Sequence, residues 1–206
     1  MTPRVYQDRS ANVVEHFKEY SEKFTNVQLQ HLWFPDEIKV EKDKHQLMTE
    51  MSEADRHAIM TTLKLFTSYE IFAGKEYWSG RFQQIMRGPE FSRMGSVFAA
   101  FELAIHKPFY QKINEVFGLD TDEFYAGYIN DPVLTSRMDF IESIIDDEDD
   151  LVSLGAFSMV EGAILYSAFG LLKSYQSNGR SEIKTIVSGV NFSLVDENLH
   201  SVAGAT

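Results

Sequence analysis

The sequence predicts an all-α fold, and three observations carry that prediction. Four segments repeat apolar residues in alternating steps of three and four, the spacing of one helix face. No hairpin signal or alternating strand pattern interrupts them. Hydrophobic residues make up 44% of the 206, enough for one domain with a substantial core.

Residues 1 to 50 read as an N-terminal arm with one short helix around Val13 to Phe24. After Pro35, the charged stretch EIKVEKDK reads as an extended segment crossing the surface. A helical bundle is expected over 51 to 206. Ser52 is placed to cap its first helix, with Asp55 three residues on. The stripe Ile59, Leu63, Phe66, Glu70, Ala73, Tyr77 follows, and Gly80 is expected to close it. A second helix, Ser92 to Phe117, gives Ala99, Glu102, His106, Tyr110, Ile113 and Phe117, with Pro108 bending it beside His106.

Residues 120 to 132 read as a connection with one helical turn, and a middle helix spans Val133 to Ile145. It ends in DDEDD, a solvated helix end or loop. The third stripe is Leu151, Leu154, Ser158, Glu161, Leu165, Ala168, Leu172 and Tyr175, closing at Ser177-Asn178-Gly179. The fourth, capped by Ser181, is Ile183, Ile186, Val190, Ser193, Glu197, His200 and Gly204.

Four apolar seams therefore each hold one carboxylate: Glu70, Glu102, Glu161 and Glu197. Two also hold a histidine, His106 and His200. A single seam Glu is ordinarily an edge residue reaching water, and a single His a satisfied core residue; His16, His31, His45 and His57 fit that ordinary reading. Four buried acids at matching depths do not, since each unpaired one costs several kcal/mol. Two divalent cations would compensate them. Carboxylates with imidazoles suit iron or manganese better than zinc. One Glu from each of two helices, with a Glu/His pair from each of the other two, is the ligand pattern of di-iron carboxylate bundles.

Charge and composition narrow the alternatives. The formal net charge of −12, from 31 acidic and 19 basic residues, argues against nucleic-acid binding. The chain has no cysteine, which excludes disulfides and thiolate metal sites. TPRVYQDRS lacks the apolar core of a signal peptide, and no run approaches the length of a membrane span, so a cytoplasmic protein is expected.

Several segments resemble the small, radical-generating subunit of class I ribonucleotide reductase, a ferritin-like protein. They are WFPDEI (Trp33 to Ile38), HKPFY (His106 to Tyr110), EGAILYSAF (Glu161 to Phe169) and VDENLH (Val195 to His200). The resemblance implies a ferritin-like helical bundle with a dinuclear metal site between four core helices. It implies metal ligands at Glu70, His106, Glu161, Glu197 and His200, with two iron or manganese ions and an oxygen-derived oxidant. Tyr110 would bear the radical, and Trp33, Asp196 and His106 would form the route to a large catalytic subunit. A homodimer is also implied, with deoxyribonucleotide synthesis completed on the partner.

Three departures accompany the resemblance. The family's Glu-x-x-His is here Glu102-x-x-x-His106, with Leu103 at the usual ligand position. On an ideal helix Glu102 lies about 40° from His106 and Leu103 about 60° to the other side. Glu102 is the expected ligand, with a π-bulge completing its alignment; the rival is a site short of one carboxylate, with altered metal loading or a metal-independent radical. Val195 stands where relatives commonly have Arg. The chain stops six residues after His200, so the bundle is expected to be truncated at its C-terminus. The competing functions are a ferritin-like di-metal oxidase working without a large subunit, and a non-catalytic bundle storing metal or mediating assembly.

Overall fold

The computed structural model describes residues 15–127 and 129–206. Among these there is no strand, and four uninterrupted helical rods span 53–85, 89–117, 150–174 and 184–205. Outside the rods lie α1 (Lys18–Gln30), α6 (Asp122–Ala126) and α7 (Pro132–Ile145). The first rod is α2 (Glu53–Ile71), a π-helical stretch Phe72–Arg81 and α3 (Phe82–Ile85). The second is α4 (Pro89–Phe101), the π turn Glu102–His106 and α5 (Lys107–Phe117). The third is α8 (Asp150–Met159), the π turn Val160–Ile164 and α9 (Leu165–Ser174), and the last is α10 (Lys184–Ala205).

The rods pair as antiparallel neighbours. In the first pair α2 packs on α5 while the π stretch Phe72–Arg81 packs on α4. In the second, Gly162 meets Ser201, Gly204 meets Ser158, and the Tyr166 hydroxyl donates to the Leu194 carbonyl. The apolar seams meet in one core, with Phe66, Leu63, Phe109, Phe169 and Val190 wholly buried.

Sequence signals set most boundaries. The Ser52 hydroxyl accepts from the Asp55 backbone N–H at 3.1 Å, as a capping residue should. Gly118 ends α5 at φ 74°, and the Leu119 N–H closes back on the Asn114 carbonyl. Asn178 and Gly179 both take positive φ in the turn after α9. Asp149 caps α8 by accepting from the Leu151 and Val152 N–H groups, and Asp150 pairs with Arg81 at 2.8 Å. The acidic run thus punctuates two helices as well as meeting solvent.

Several expectations need correction. The first rod does not stop at Gly80 but continues to Ile85, because Gly80 lies inside the π stretch rather than at a left-handed helix end. The segment after Pro35 is not extended. It forms 3-10 turns at Pro35–Glu37 and Val40–Asp43 and a π turn at Gln46–Glu50, burying Val40 and Leu47 completely. The N-terminal helix runs six residues past Phe24, and its expected start at Val13 lies outside the described residues.

Leu151 is not a seam residue: it is 80% exposed, while Ser153 and Phe157 are buried. The extra residue in the Val160–Ile164 turn rotates everything before it, so a seam phased backward from Glu161 drifts off the core. Ser181 does not cap α10. That role falls to residues over a hundred positions away: Gln46 Oε1 accepts from the Ile183 N–H at 2.8 Å, and Asp43 Oδ2 from the Ile186 N–H at 2.7 Å. Helix 150–174 is also long and apolar enough, by length and composition, to cross a membrane; here it is a bundle rod with Glu161 at its centre.

Candidate metal centre

Each rod delivers its carboxylate to one point. Glu70, Glu102, His106, Glu161, Glu197 and His200 are all wholly buried, and they divide into two overlapping groups. One is Glu70, Glu102, His106 and Glu197; the other is Glu102, Glu161, Glu197 and His200. Within each group the donor atoms lie within 4.8 Å of one another. Two residues belong to both. Glu102 sets Oε2 2.9 Å from His106 Nδ1 and Oε1 2.7 Å from His200 Nδ1. Glu197 sets Oε1 3.1 Å from His106 Nδ1 and Oε2 3.5 Å from His200 Nδ1. Glu70 and Glu161 stand at opposite ends, 3.6 Å and 3.7 Å from the nearer imidazole.

The π turn explains how Glu102 reaches the centre. An inserted residue makes four steps along the chain turn the helix about as far as three normally do. Glu102-x-x-x-His106 therefore presents its two side chains as Glu-x-x-His would, and Leu103 is turned out to 36% exposure. The same turn resolves Pro108. It falls within the first turn of α5, where its missing N–H is tolerated. Gly74 permits the close approach of the first rod, since a Cβ there would sit 2.6 Å from Leu103 Cγ and 2.9 Å from Glu102 Cβ.

The donor set fits a pair of cations. Both oxygens of Glu70 and Glu197, Glu102 Oε1, Glu161 Oε2 and His200 Nδ1 are buried without a hydrogen-bond partner among the described residues. Glu102 Oε1 and His200 Nδ1 are 2.7 Å apart yet not aligned as donor and acceptor, the relation expected of two groups aimed at a common centre. Burial pushes the carboxyls of Glu70 and Glu161 well above the usual range, with Glu102 adding to the rise at Glu70. Burial opposes ionisation of Glu102 as well, but His106 and His200 beside it hold its carboxyl well below that range. Both imidazoles are held well above their ordinary value by Glu102, against the effect of burial. Metal-free, the cluster therefore gathers protons, which is the compensation two cations would otherwise supply.

Around the centre, Asp196 Oδ2 accepts from Trp33 Nε1–H at 3.0 Å and lies 3.0 Å from His106 Nε2. Trp33 stacks on Phe192, which is 43% exposed and carries the aromatic contact to the surface. Tyr110 is wholly buried one turn beyond His106, stacked on Phe66 at 4.7 Å between ring centroids. Its hydroxyl faces the Ser193 hydroxyl without closing a hydrogen bond, and burial followed by the nearby Glu70 charge raises its pKa well above normal.

Three residues at the centre escaped the sequence reading. Trp78 Nε1–H donates to Glu161 Oε1 at 3.0 Å, Gln28 bridges Asp196 and His200, and Tyr69 is a further buried phenol with no hydrogen-bond partner among the described residues. Gln28 had a visible signal, since Ser21, Phe24 and Gln28 continue one stripe at steps of three and four.

The model of the ribonucleotide reductase small chain matches residues 12–206. The chain belongs to that family. A curated relative, ribonucleoside-diphosphate reductase subunit beta of Chlamydia pneumoniae, is 25% identical over 82% of this chain. The chain spans 52% of that relative's length. Its fold is shared by solved structures of the family. The ribonucleotide reductase R2 subunit from Clostridium botulinum aligns with a TM-score of 0.74 at 21% identity, over 90% of this chain and 60% of that one. A putative class I ribonucleotide reductase from Bacillus halodurans gives 0.78 at 20%, over 88% and 66%. The dimanganese(II)-NrdF of Streptococcus sanguinis gives 0.76 at 16%, over 87% and 62%. The ferritin-like architecture expected from the sequence is the one observed, and the buried carboxylate and histidine cluster could hold a dinuclear metal site.

Proposed function

We propose that this chain acts as the small subunit of a class I ribonucleoside-diphosphate reductase, holding a dinuclear centre that oxidises Tyr110. The oxidising equivalent then passes to a large subunit, which reduces ribonucleotides to deoxyribonucleotides. The observation that carries this reading is the convergence of six buried ligand-type side chains with Tyr110 on one flank and the Trp33–Asp196–His106 chain on another.

In this reading Glu70, Glu102, His106 and Glu197 would hold one ion, and Glu102, Glu161, Glu197 and His200 the other. Two iron or manganese ions, with an oxygen-derived oxidant, would supply the one-electron oxidation of a phenol. The residues of the chain do the rest. Phe66, Phe109 and Phe169 exclude water from Tyr110. Oxidation of the phenol releases one electron and one proton, and Glu70 is the carboxylate whose charge bears most on that phenol. Asp196 holds Trp33 and His106 in one hydrogen-bonded line toward the surface at Phe192. The bundle 51–206 carries the ligands and the segment 1–50 supplies Trp33. A cytoplasmic homodimer bound to a large subunit belongs to the same reading.

The test is reconstitution with Fe(II) or Mn(II) and air, followed by paramagnetic resonance. A tyrosyl radical signal is expected, and Tyr110→Phe must abolish it. The rival is a di-metal oxidase working without a large subunit. It has the same ligands but no use for a large subunit, so capture of a large subunit by the wild type separates the two.

A further inference from the structure

Ser193 is wholly buried on α10, in the seam between Val190 and Glu197, where an apolar side chain is expected. A buried hydroxyl without a partner is unfavourable, so its presence there calls for a reason. Other buried hydroxyls on the rods turn back to a carbonyl of their own helix. Thr67 donates to the Leu63 carbonyl at 3.0 Å, and Ser158 to the Leu154 carbonyl at 2.9 Å. Ser193 makes no such bond, nor any other among the described residues. Its hydroxyl is set instead against that of Tyr110, which is equally buried and equally without a partner. Packing brings the two together. α10 lies so close to α5 that a Cβ on Gly189 would run into the Phe109 ring. Ser193 comes one turn further along α10, and Tyr110 follows Phe109. The Tyr110 ring is stacked on Phe66 at 4.7 Å and tilted against Phe109 at 5.0 Å, which fixes where its oxygen lies.

We propose that Ser193 is the hydrogen-bond partner of the Tyr110 oxygen, accepting from the phenol and donating to it once the phenol is oxidised. The reversal follows from proton counting. A phenol and a serine hydroxyl can each donate and accept, and the phenol, as the stronger acid, is the better donor. Oxidation takes one electron and one proton from Tyr110, and both pass to the oxygen-derived oxidant, whose oxygen ends as water. The phenoxyl left behind can only accept. Ser193 then turns its own proton to that oxygen by rotating about one bond. A methyl group at position 193 could do neither, and a carboxylate could accept from the phenol but would repel the phenoxyl. Ser193 therefore orients the oxygen before oxidation and stabilises the radical after it. The second role rests on the reading of Tyr110 as the oxidised residue; the hydrogen bond to the phenol does not.

Two measurements on the full chain separate these roles. The first is NMR of the metal-free protein with ring-labelled tyrosine, Tyr110 being assigned by the signals lost in Tyr110→Phe. In the wild type a slowly exchanging Tyr110 hydroxyl proton should show a nuclear Overhauser contact to the Ser193 β protons. Ser193→Ala should lose that slow exchange, and Ser193→Thr, which keeps the hydroxyl, should retain it. A wild-type hydroxyl proton that exchanges too fast to be seen, or that shows no contact with Ser193, would overturn the proposal. The wild-type spectrum decides this even if a variant fails to fold. The second measurement is high-field paramagnetic resonance with proton double resonance after reconstitution with Fe(II) or Mn(II) and air. A hydrogen-bonded proton coupled to the Tyr110 radical is expected in the wild type. In Ser193→Ala that coupling should vanish and the largest g value should rise. A wild-type Tyr110 radical with no such proton would overturn the donating role. Absence of any Tyr110 radical would sink the proposed function instead, leaving the metal-free spectra to judge Ser193.

Discussion

Gly74→Ala sets two opposed effects of known size against each other at the centre. Alanine in a helix interior is favoured over glycine by about 0.8–1.0 kcal/mol. That alone predicts stabilisation. The new Cβ, however, would stand 2.6 Å from Leu103 Cγ and 2.9 Å from Glu102 Cβ, closer than real carbon contacts allow. Leu103, at 36% exposure, can swing away, but Glu102 Cβ is the root of a wholly buried side chain packed against the first rod and cannot. Overpacking of this kind costs about 1–3 kcal/mol. The steric effect wins, leaving a net loss of about 1 kcal/mol. In a chain of this size that lowers the melting temperature by roughly 2–4 °C.

Gly170→Ala is the control, in a helix with nothing within 4 Å of its added Cβ, and it should raise the melting temperature. Thermal unfolding of both variants, metal-free, reads the comparison. If Gly74→Ala stabilises as much as Gly170→Ala, the first two rods do not meet as closely as described, and the placement of Glu102 loses its support.

Three further outcomes follow from particular contacts. Glu102→Ala should abolish paired divalent-ion binding in a Co(II) titration followed by visible absorption, while Leu103→Ala, at a half-turned-out position, should retain it. Asp43→Ala should destabilise the chain by about 0.5–2 kcal/mol in urea titrations, the range for a lost helix cap, with Ser181→Ala close to neutral. The third is a pH dependence of the metal-free protein. Glu70, Glu161, His106 and His200 all have raised folded values, so each stabilises below its unfolded value and loses that contribution as pH rises. Unfolded Glu and His ionise near about 4.3 and 6.5, so the melting temperature should decline as pH rises above about 5. Glu102, with a lowered value, loses its contribution only as pH falls below that window. Saturating Mn(II) should flatten the decline, and a metal-free melting temperature that climbs from pH 5 to 8 would contradict the electrostatics given for the cluster.

The chain's own residues were enough to place the four rods and to put Glu70, Glu102, Glu161, Glu197, His106 and His200 on their inner faces, because helical periodicity is local and a buried carboxylate stands out against an apolar stripe. Tertiary structure decided what periodicity cannot carry. The π turns broke the phase of the seams: Leu151 left the core, and the turn Glu102–His106 completed the alignment expected of Glu102. Asp43 and Gln46 took over the start of α10, and Gln28 reached Asp196 and His200 further along it, each across more than a hundred residues. A hydrogen bond between distant segments depends on how the rods pack, and packing leaves no trace in the spacing of neighbours along the chain.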